Sequence, residues 1–402
     1  MVQRYDYLSI VSKVVIAIVK IFYIGTSISW GAMPWGRIHR TYINPRALGM
    51  GDAFTAISRD YSAVLYNPAA LARRVDTEVN LSIDISASDA FYSFYKDLES
   101  ASKLPSSQQF SSYYNVLTKN YGRSFLARLG LFHGAIAAPG WGLMVIPADV
   151  TYEMTVVNQA FPSIMSRFYG DTTVAFGIGR RIHMEDVEGK LDWGVTGKFV
   201  NRAYMNMDFT ILDLVLNSNL FSSSFLTEGY TLDFELGFLY TPFLSDEGFG
   251  ALLQLARPTF SLVVRNLLGG EFHNRWGLWT STNNSGGQKP EPLYRVLDIG
   301  TVWEYPEFWI FGGRGALDIR NIGHPQFSFK KGLHLGFEFD WTVSSWWRGQ
   351  YRVGINQGYL TYGMSALFTI FRLDLVSFGE EVGSENHPLE NRTIMARFNM
   401  EF

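Results

Sequence analysis

The sequence has no cysteine among its 402 residues and few charged residues. The missing thiols exclude a disulfide framework, a thiolate metal site, a cysteine nucleophile and a lipid-modified cysteine anchor. Charged residues make up 18% of the chain, against roughly 25% in soluble domains. The net charge of −3 gives no basic surface for a nucleic-acid partner, and the hydrophobic content of 47% excludes disorder.

Long apolar runs are also missing beyond residue 31, so the sequence predicts no transmembrane helix there. Residues 1–31 are different, because basic Arg4 and Lys13 precede an apolar core that ends in small residues near Gly31. This layout predicts a signal peptide that is removed on export. An uncleaved membrane anchor is the alternative, although the apolar run is short for a spanning helix.

Apolar and polar residues alternate instead along many stretches, as they do in strands with one apolar and one polar face. The last strand shows this most clearly, with Ile394, Ala396, Phe398, Met400 and Phe402 on its apolar face. Aromatic residues make up 16% of the chain, and charged residues occupy the middle of the polar faces. These features favour a transmembrane antiparallel β-barrel, with lipid outside and charges in the lumen, over a soluble sandwich.

The alternation predicts an all-β fold of about fourteen strands, an even number as in single-chain bacterial barrels. The predicted strands are 77–88, 124–138, 141–156, 172–183, 190–205, 230–242, 259–268, 293–305, 308–320, 331–343, 348–357, 359–368, 371–379 and 392–402. With both ends of the barrel in the periplasm, short turns should lie there and long, partly helical loops should lie outside. Residues 244–257 and 357–358 depart from this alternation of short and long connections.

Residues 32–76 precede the barrel and do not alternate. They are rich in glycine and alanine, which permits close packing against another surface. A barrel of about fourteen strands leaves an interior too wide for side chains alone to fill. The sequence therefore predicts three parts, namely a signal peptide at 1–31, a plug in the lumen at 32–76 and the barrel at 77–402.

Two short motifs stand out in the plug. The first contains Gly49, Gly51 and Asp52, and the second is Asn67-Pro68-Ala69. Asp52 is expected to cap a short helix that follows it, and Pro68 is expected to open one after Asn67. The run that holds both motifs resembles the N-terminal hatch of the FadL-type long-chain fatty-acid transporters. The amino-acid sequence of this run is most similar to PorV-like proteins and to an uncharacterised spirochaetal branch of that family.

This resemblance implies a plugged barrel in the lipid of the cell outer membrane, with surface-exposed loops. It also implies a path for long-chain fatty acids or other hydrophobic small molecules, which outer loops capture and which leave sideways through the wall. The aromatic ending of the last strand, at Phe398, Met400 and Phe402, resembles the signal that the barrel-assembly machinery recognises. PorV-like relatives act as partners of a secretion machine, so that role and a structural surface role stay open as alternatives.

Ligand contacts are expected in outer loops 157–171 and 206–229, which carry more apolar residues than loops in water need. These residues are Phe161, Ile164, Met165, Phe168, Leu212, Leu216 and Phe221. They either hold a ligand or cover one another. Most inward charges should pair, so a fatty-acid head group would need a cation spared from pairing, for which Lys198 and Arg202 are the candidates.

Enzyme motifs are missing from the sequence. The seven histidines form no His-Glu-x-x-His pair, and no Gly-x-Ser-x-Gly elbow occurs. Gly177-Ile178-Gly179 lacks a third glycine and a following helix, so it does not indicate a nucleotide site. The sequence therefore predicts no catalytic residues, no metal and no cofactor.

Overall fold

The computed structural model is a closed barrel of fourteen antiparallel strands, in which each strand pairs with its sequence neighbours and the first closes on the last. The structure describes residues 36–182, 189–216, 223–243, 256–280, 289–308, 311–344, 346–383 and 387–402. The predicted fold class and strand number are therefore confirmed. The predicted signal peptide lies outside the described residues.

All fourteen predicted strands correspond to observed ones. The strands are β1 (Glu78–Ser88), β2 (Ser124–Ala138), β3 (Trp141–Val157), β4 (Ser163–Ile182), β5 (Gly189–Thr210), β6 (Thr227–Pro242), β7 (Thr259–Arg265), β8 (Val296–Phe308), β9 (Phe311–Ile322), β10 (Leu333–Ser344), β11 (Trp347–Asn356), β12 (Tyr359–Phe368), β13 (Phe371–Glu381) and β14 (Glu390–Glu401). The described helices are short and lie in the plug and the loops. They are α1 (Pro45–Gly49), α2 (Ala63–Tyr66), a 3₁₀ helix (Pro68–Arg73), α3 (Phe91–Ser102), α4 (Ser106–Lys119), α5 (Ile211–Leu216), a 3₁₀ turn (Ser223–Phe225) and α6 (Phe329–Gly332).

Two predicted strand boundaries are wrong by more than three residues, because β4 begins at Ser163 and not at 172, and β5 ends at Thr210 and not at 205. Residues 163–171 belong to β4, and they pair with residues 202–210 of β5, so this stretch is wall and not outer loop. Alternation is hidden there because loop helices cover the outward face, which therefore carries buried apolar residues. The chain leaves β7 after Arg265, and not at residue 268, because Asn266 adopts a φ of 54° and turns away from the ladder.

The two ends of the barrel differ in their connections. Short turns such as Pro139-Gly140 and Thr369-Ile370 lie at the end where β1 begins and β14 finishes, and the helices α3, α4 and α5 lie in loops at the opposite end. The outer connection 357–358 is indeed a two-residue turn, with a positive φ at both Gln357 and Gly358. Most of the connection 244–257 lies outside the described residues.

The outward face of the wall is apolar and exposed. On β10, Phe337 and Phe339 are exposed, while Glu338 between them is buried in the lumen. On β14, Phe398 is likewise exposed and Arg397 is buried. A closed barrel with an apolar belt outside and charges inside is the form that crosses an outer membrane, so the protein is an outer-membrane barrel. None of the helices in the described ranges is long and apolar enough to cross a membrane.

Residues 36–77 lie inside the barrel and form its plug. The plug begins near the outer end, where the N–H of Gly36 donates to the carbonyl of Val382 at 3.1 Å. It ends near the periplasmic end, where Arg73 pairs with Asp192 at 2.6 Å. Between these points its apolar side chains pack on small and apolar side chains of the inner wall. This cluster includes Phe54, Tyr66, Leu71, Ala137, Met144 and Ile146.

The orientation of β10 predicts how charged substitutions act. Phe337→Arg should lower the free energy of unfolding by about 2–4 kcal/mol, because it places a guanidinium in the middle of the lipid-facing wall. Val343 lies on the same face near the periplasmic turn, so Val343→Arg should cost only about 0–1 kcal/mol. Urea titrations of the refolded barrel in lipid vesicles measure both values. An equal loss of unfolding free energy in the two variants would contradict the position of Phe337 in the middle of the apolar outer belt.

Candidate functional site

The first plug motif lies where the plug meets the wall. Gly51 has a φ of 62°, and a Cβ there would lie 2.4 Å from the carbonyl oxygens of Leu335 and Ile355. Only glycine fits this contact. Gly49 lies close as well, since a Cβ on it would be 3.1 Å from the Cα of Gly363 on β12. The motif therefore sets how closely the plug approaches strands β10 to β12.

Asp52 does not cap a helix, contrary to the sequence expectation. It has a φ of 66°, and no helix begins at Ala53. Its fully buried carboxylate instead accepts hydrogen bonds from Arg40 of the plug and Arg320 of β9. Two guanidinium groups compete for the oxygen that a capping interaction would need, and ionic hydrogen bonds are the stronger ones. Asp52 thus joins the plug to the wall.

The Asn67-Pro68-Ala69 motif forms the expected turn. Asn67 accepts from the N–H of Ala69 at 3.1 Å and so caps the 3₁₀ helix that Pro68 opens. Its amide also donates to the carbonyl of Thr55 at 2.9 Å within the plug. A Cβ on Gly237 of β6 would lie 2.1 Å from the Asn67 side chain, so the strand needs glycine to admit it. One side chain therefore satisfies backbone groups of the plug while lying against the wall.

Inward charges pair across the lumen, as expected. Glu338 of β10 accepts from Arg46 of the plug at 2.7 and 2.8 Å and from Arg352 of β11 at 2.7 Å. Arg265 of β7 pairs with Glu235 at 2.9 Å and with Asp298 at 2.7 Å. Arg265 also donates to plug carbonyl oxygens, at 2.6 and 2.7 Å. The ion pairs therefore hold plug and wall together at several heights.

Lys198 and Arg202 are not spared from pairing, so the premise on which they were selected is wrong. The ammonium of Lys198 lies 2.7 Å from Glu235 and 2.7 Å from the Asn266 side-chain oxygen. Arg202 binds both carboxylate oxygens of Asp171, at 2.7 and 3.0 Å. Unpaired buried charges are costly, and carboxylates on neighbouring strands neutralise both cations.

Both cations nevertheless line a cavity of the lumen, which has a volume of about 100 Å³. Its walls come from the plug, from β5 to β9 and from the outer loops that precede β8 and follow β9. Sequence reasoning missed most of these residues, because only folding brings the three parts of the chain together. Among the lining residues are Ile38, His39, Tyr42, Lys198, Arg202, Glu235, Asn266, Glu291, Leu293, Tyr294 and His324. The cavity thus combines charged groups with aromatic and aliphatic ones.

The predicted apolar ligand contacts do not form one groove. Ile164 and Phe168 lie in β4 and are buried on the outward face, Ile164 in a cluster with residues of α3 to α5. Phe161, Leu212 and Leu216 are exposed to 85%, 59% and 77%. Met165 lies in β4 on the opposite face to Ile164, and Phe221 lies outside the described residues. The buried residues therefore cover one another, which was the alternative interpretation of these loops.

The wall is irregular where β1 to β4 run side by side. Phe132 of β2 has a φ of 53°, and the register between β1 and β2 shifts beside it. Pro147 of β3 lacks an N–H, and the register between β3 and β4 shifts there as well. The β2–β3 register is the same on both sides of this point, and Arg128 pairs with Asp149 on the lumen side at 2.6 Å. The wall is therefore irregular here, although the β2–β3 register resumes unchanged.

No protein-family model and no curated protein matches this chain. Among solved structures, it is similar to the CymD monoaromatic hydrocarbon channel, at 9% identity over 91% of this chain and 99% of that one, with a TM-score of 0.43. The Ralstonia pickettii toluene transporter TbuX gives 9% identity over 90% and 98%, with a TM-score of 0.43. A Pseudomonas aeruginosa FadL homologue gives 8% over 92% and 98%, with a TM-score of 0.29. These values do not assign the chain to a family.

The Asn67 turn predicts how the plug can be loosened. Replacing Asn67 and Pro68 together with alanine removes the cap and the fixed φ of the turn, while the strands keep their own hydrogen bonds. The barrel should still assemble, and conductance in planar bilayers should rise from near zero to discrete openings. A wild-type barrel that already conducts like an open porin, with no change in the double variant, would contradict the role of the plug.

His324, in the loop between β9 and β10, predicts a dependence on pH. Burial and, to a lesser extent, the neighbouring Lys331 ammonium together lower the pKa of His324 to about 4. Its Nδ1 accepts from the N–H of Gln326 at 3.1 Å, which requires the neutral ring. An unfolded histidine titrates near pH 6.5, so its contribution to stability is complete above that pH and is lost as the pH falls to about 4.

Titration of the histidine ring signals by NMR in detergent micelles should include a midpoint near 4 for the ring of His324. That signal should be missing from the spectrum of His324→Gln. A midpoint near 6.5 for His324 would mean that this loop is open to solvent.

Proposed function

We propose that this barrel transports hydrophobic or amphipathic small molecules across the outer membrane, with long-chain fatty acids as the first ligand class to test. The observation that carries the proposal is the closed lumen. An ion-selective pore would need a water-filled path lined by charges of one sign. Here carboxylates and guanidinium groups neutralise each other, and an apolar cluster that includes Phe54, Leu71 and Met144 fills the space between plug and wall. Transport through such a lumen requires that the plug or a loop moves.

The cavity suits the polar end of an amphiphile. About 100 Å³ accommodates a carboxylate and a few methylene groups, but not a long alkyl chain. A carboxylate entering the cavity would exchange with Glu235 as the partner of Lys198, since neither that ammonium nor Arg202 is free. Apolar lining residues such as Ile38 and Leu293 would contact the first part of the chain. The resemblance of the plug motifs to the FadL-type hatch supports the same ligand class.

Organic extraction and mass spectrometry of the purified, delipidated protein test the proposal directly. Recovery of a fatty acid or another amphiphile in stoichiometric amount would support it. Uptake of radiolabelled oleate should also rise in cells that lack their own fatty-acid transporter when they express this barrel. An extract without amphiphile, together with uptake equal to that of cells with an empty vector, would contradict it.

Lys198 allows a test of head-group recognition. Lys198→Met should lower oleate uptake several-fold and leave uptake of an uncharged hydrocarbon such as toluene unchanged, because only the carboxylate needs the ammonium. Lys190, an exposed residue near the periplasmic start of the same strand, provides the matched control Lys190→Met. If Lys198→Met lowers uptake of both probes equally, the residue supports the structure of the lumen and does not select the ligand.

A second candidate function is a docking platform for a partner protein. The helices α3 and α4 expose aromatic side chains on the outer side of the barrel, among them Tyr92, Tyr95, Phe110 and Tyr114 at 70%, 51%, 53% and 41%. Aromatic residues exposed together on one pair of helices are typical of an interaction surface. Deleting 91–119 should abolish this second function and leave oleate uptake in place.

A further inference from the structure

The rim of the barrel has a step beside β6. This strand extends farther outward than β7 and β8, whose outer ends are Arg265 and Val296. After Arg265 the chain follows the outer part of β6, where the N–H of His273 donates to the carbonyl of Tyr230 at 3.0 Å. The loop between β7 and β8 therefore climbs this step along the edge of β6.

This loop passes from the lumen to the outside of the wall. Phe272 is buried in the lumen, where it packs with Val200 and its ring centroid lies 4.8 Å from the Arg202 guanidinium. Four residues later, the ring of Trp276 packs at 4.6 Å against Phe199. Phe199 and Val200 are consecutive in β5, so their side chains lie on opposite faces of the sheet. The chain therefore wraps around the edge of β6 and then lies against the outward face.

Residues 276–280, which we call the outer turn, are held on that face by one carboxylate. Glu228 of β6 lies an odd number of residues from the lumen-facing Asp233, so its side chain is on the outward side. Its two oxygens accept hydrogen bonds from the four consecutive backbone N–H groups of residues 277–280, at 2.8 to 3.3 Å. The hydroxyl of Thr280 and the side-chain amide of Asn201 donate to the same carboxylate, at 3.0 and 2.9 Å. The wall thus satisfies the backbone donors of the outer turn.

The side chains of the outer turn separate by polarity. The indole N–H of Trp279 donates to the hydroxyl of Thr172 on β4 at 3.2 Å. Thr172 follows the lumen-facing Asp171, so it also lies on the outward face. The two other large side chains, Trp276 and Leu278, are 58% and 55% exposed. The outer turn therefore directs polar groups to the wall and apolar groups away from it.

The position of the outer turn along the strands places it at the height of lipid. Trp193 and Phe238 face each other near the periplasmic ends of β5 and β6, where barrels carry an aromatic girdle. Phe199 lies six residues farther along β5, and Ala203, which is opposite Glu228, lies ten residues farther. At about 3.3 Å per residue and a tilt of about 40°, these positions are about 15 and 25 Å above the girdle. The apolar belt of such barrels is about 25 Å tall, so the outer turn lies against its outer half.

We propose that the outer turn docks in the outer leaflet of the membrane, with Trp276 and Leu278 among the lipid acyl chains. Irregular backbone is tolerated next to hydrocarbon only when the protein satisfies its hydrogen-bonding groups, and Glu228 does this for four donors in a row. Tryptophan is also the residue that membrane interfaces favour. The docking surface continues the lipid-facing belt, because Phe199 under Trp276 is paired with Leu232, which is 61% exposed.

This docking makes one loop a contact for lipid outside and a cover for the cavity inside. Phe272 of the same loop lies under Arg202, which lines the cavity. On the lumen side the N–H of Leu293, another lining residue, donates to the carbonyl of Gly270 at 3.0 Å. Lipid contact therefore holds the cover of the cavity from the far side of the wall, whichever molecule the barrel transports.

Spin labelling tests the docking, and the lack of native cysteine allows single labels. Leu278→Cys carries a nitroxide in barrels reconstituted into phosphatidylcholine vesicles. Collision rates are measured with oxygen, which concentrates in lipid, and with the nickel complex NiEDDA, which stays in water. Leu232→Cys in the apolar belt is the reference for lipid, and Tyr114→Cys on helix α4 is the reference for water. A shift in mobility on heating checks that each variant is folded.

The label at position 278 should behave like the label at position 232. Its collision rate with NiEDDA should be severalfold lower than at position 114, and its collision rate with oxygen should be severalfold higher. A label at 278 that NiEDDA reaches as readily as at 114 would overturn the proposal. A label shielded from both reagents would overturn it as well, because a second copy of the chain or another protein would then cover the outer turn. Trp276→Cys gives the same test if Leu278→Cys does not fold.

Glu228→Gln tests what holds the outer turn in place. The neutral amide has one acceptor oxygen where the carboxylate has two, so the turn should leave the wall and NiEDDA collisions at position 278 should rise severalfold. Glu271→Gln is the matched control, because Glu271 is an exposed carboxylate of the same loop, and it should leave both collision rates unchanged. Equal rates in Glu228→Gln and the unsubstituted barrel would overturn the role of this carboxylate.

Discussion

The buried carboxylate of Asp52 is the interaction on which the closed state depends. It holds Arg40 of the plug and Arg320 of β9 at once, and Arg320 reaches Asp298 at 3.2 Å, which in turn binds Arg265. Removing one member of such a chain leaves another charge buried without a partner, at a cost of about 3–5 kcal/mol. The plug therefore does not drift within the lumen. It is held until several pairs rearrange together.

Close packing between the plug and the wall supports the ion pairs of Asp52. The plug backbone touches the wall where Gly51 and Gly237 leave room, and a single methyl group at either position would overlap a carbonyl oxygen or the Asn67 side chain. Close packing and ion pairing then strengthen each other, because packing excludes the water that would screen the charges. A cavity remains where the plug, the wall and the turns that lead from β7 to β8 do not pack closely, although the charges that line it are paired.

Strand alternation allowed most of the barrel to be predicted from sequence, because each lipid-facing strand shows one apolar and one polar face. The prediction was wrong at 163–171, where helices α3 to α5 replace lipid as the cover of the outward face and Ile164 is buried under them. The Asn67 turn was predictable because a cap and a proline act locally. The partners of Asp52, Lys198 and Arg202 come from distant strands, and one sequence does not show which of many charges become neighbours. The cavity depends on loop residues such as Leu293 and His324, whose position no strand alternation indicates.

The unequal lengths of the strands make the rim of the barrel oblique. β5 has 22 residues, which at about 3.3 Å per residue gives a strand of about 70 Å, and β11 has 10 residues and about half that length. With a tilt of about 45°, the longer strand stands about 50 Å high and the shorter one barely spans the bilayer core. The outer rim of the barrel is therefore lowest on the β11–β12 side, at the two-residue turn Gln357-Gly358, and lies closest to the membrane surface there. A molecule moving along the membrane surface reaches this low side directly, whereas one arriving from the medium first meets the high wall and its helices.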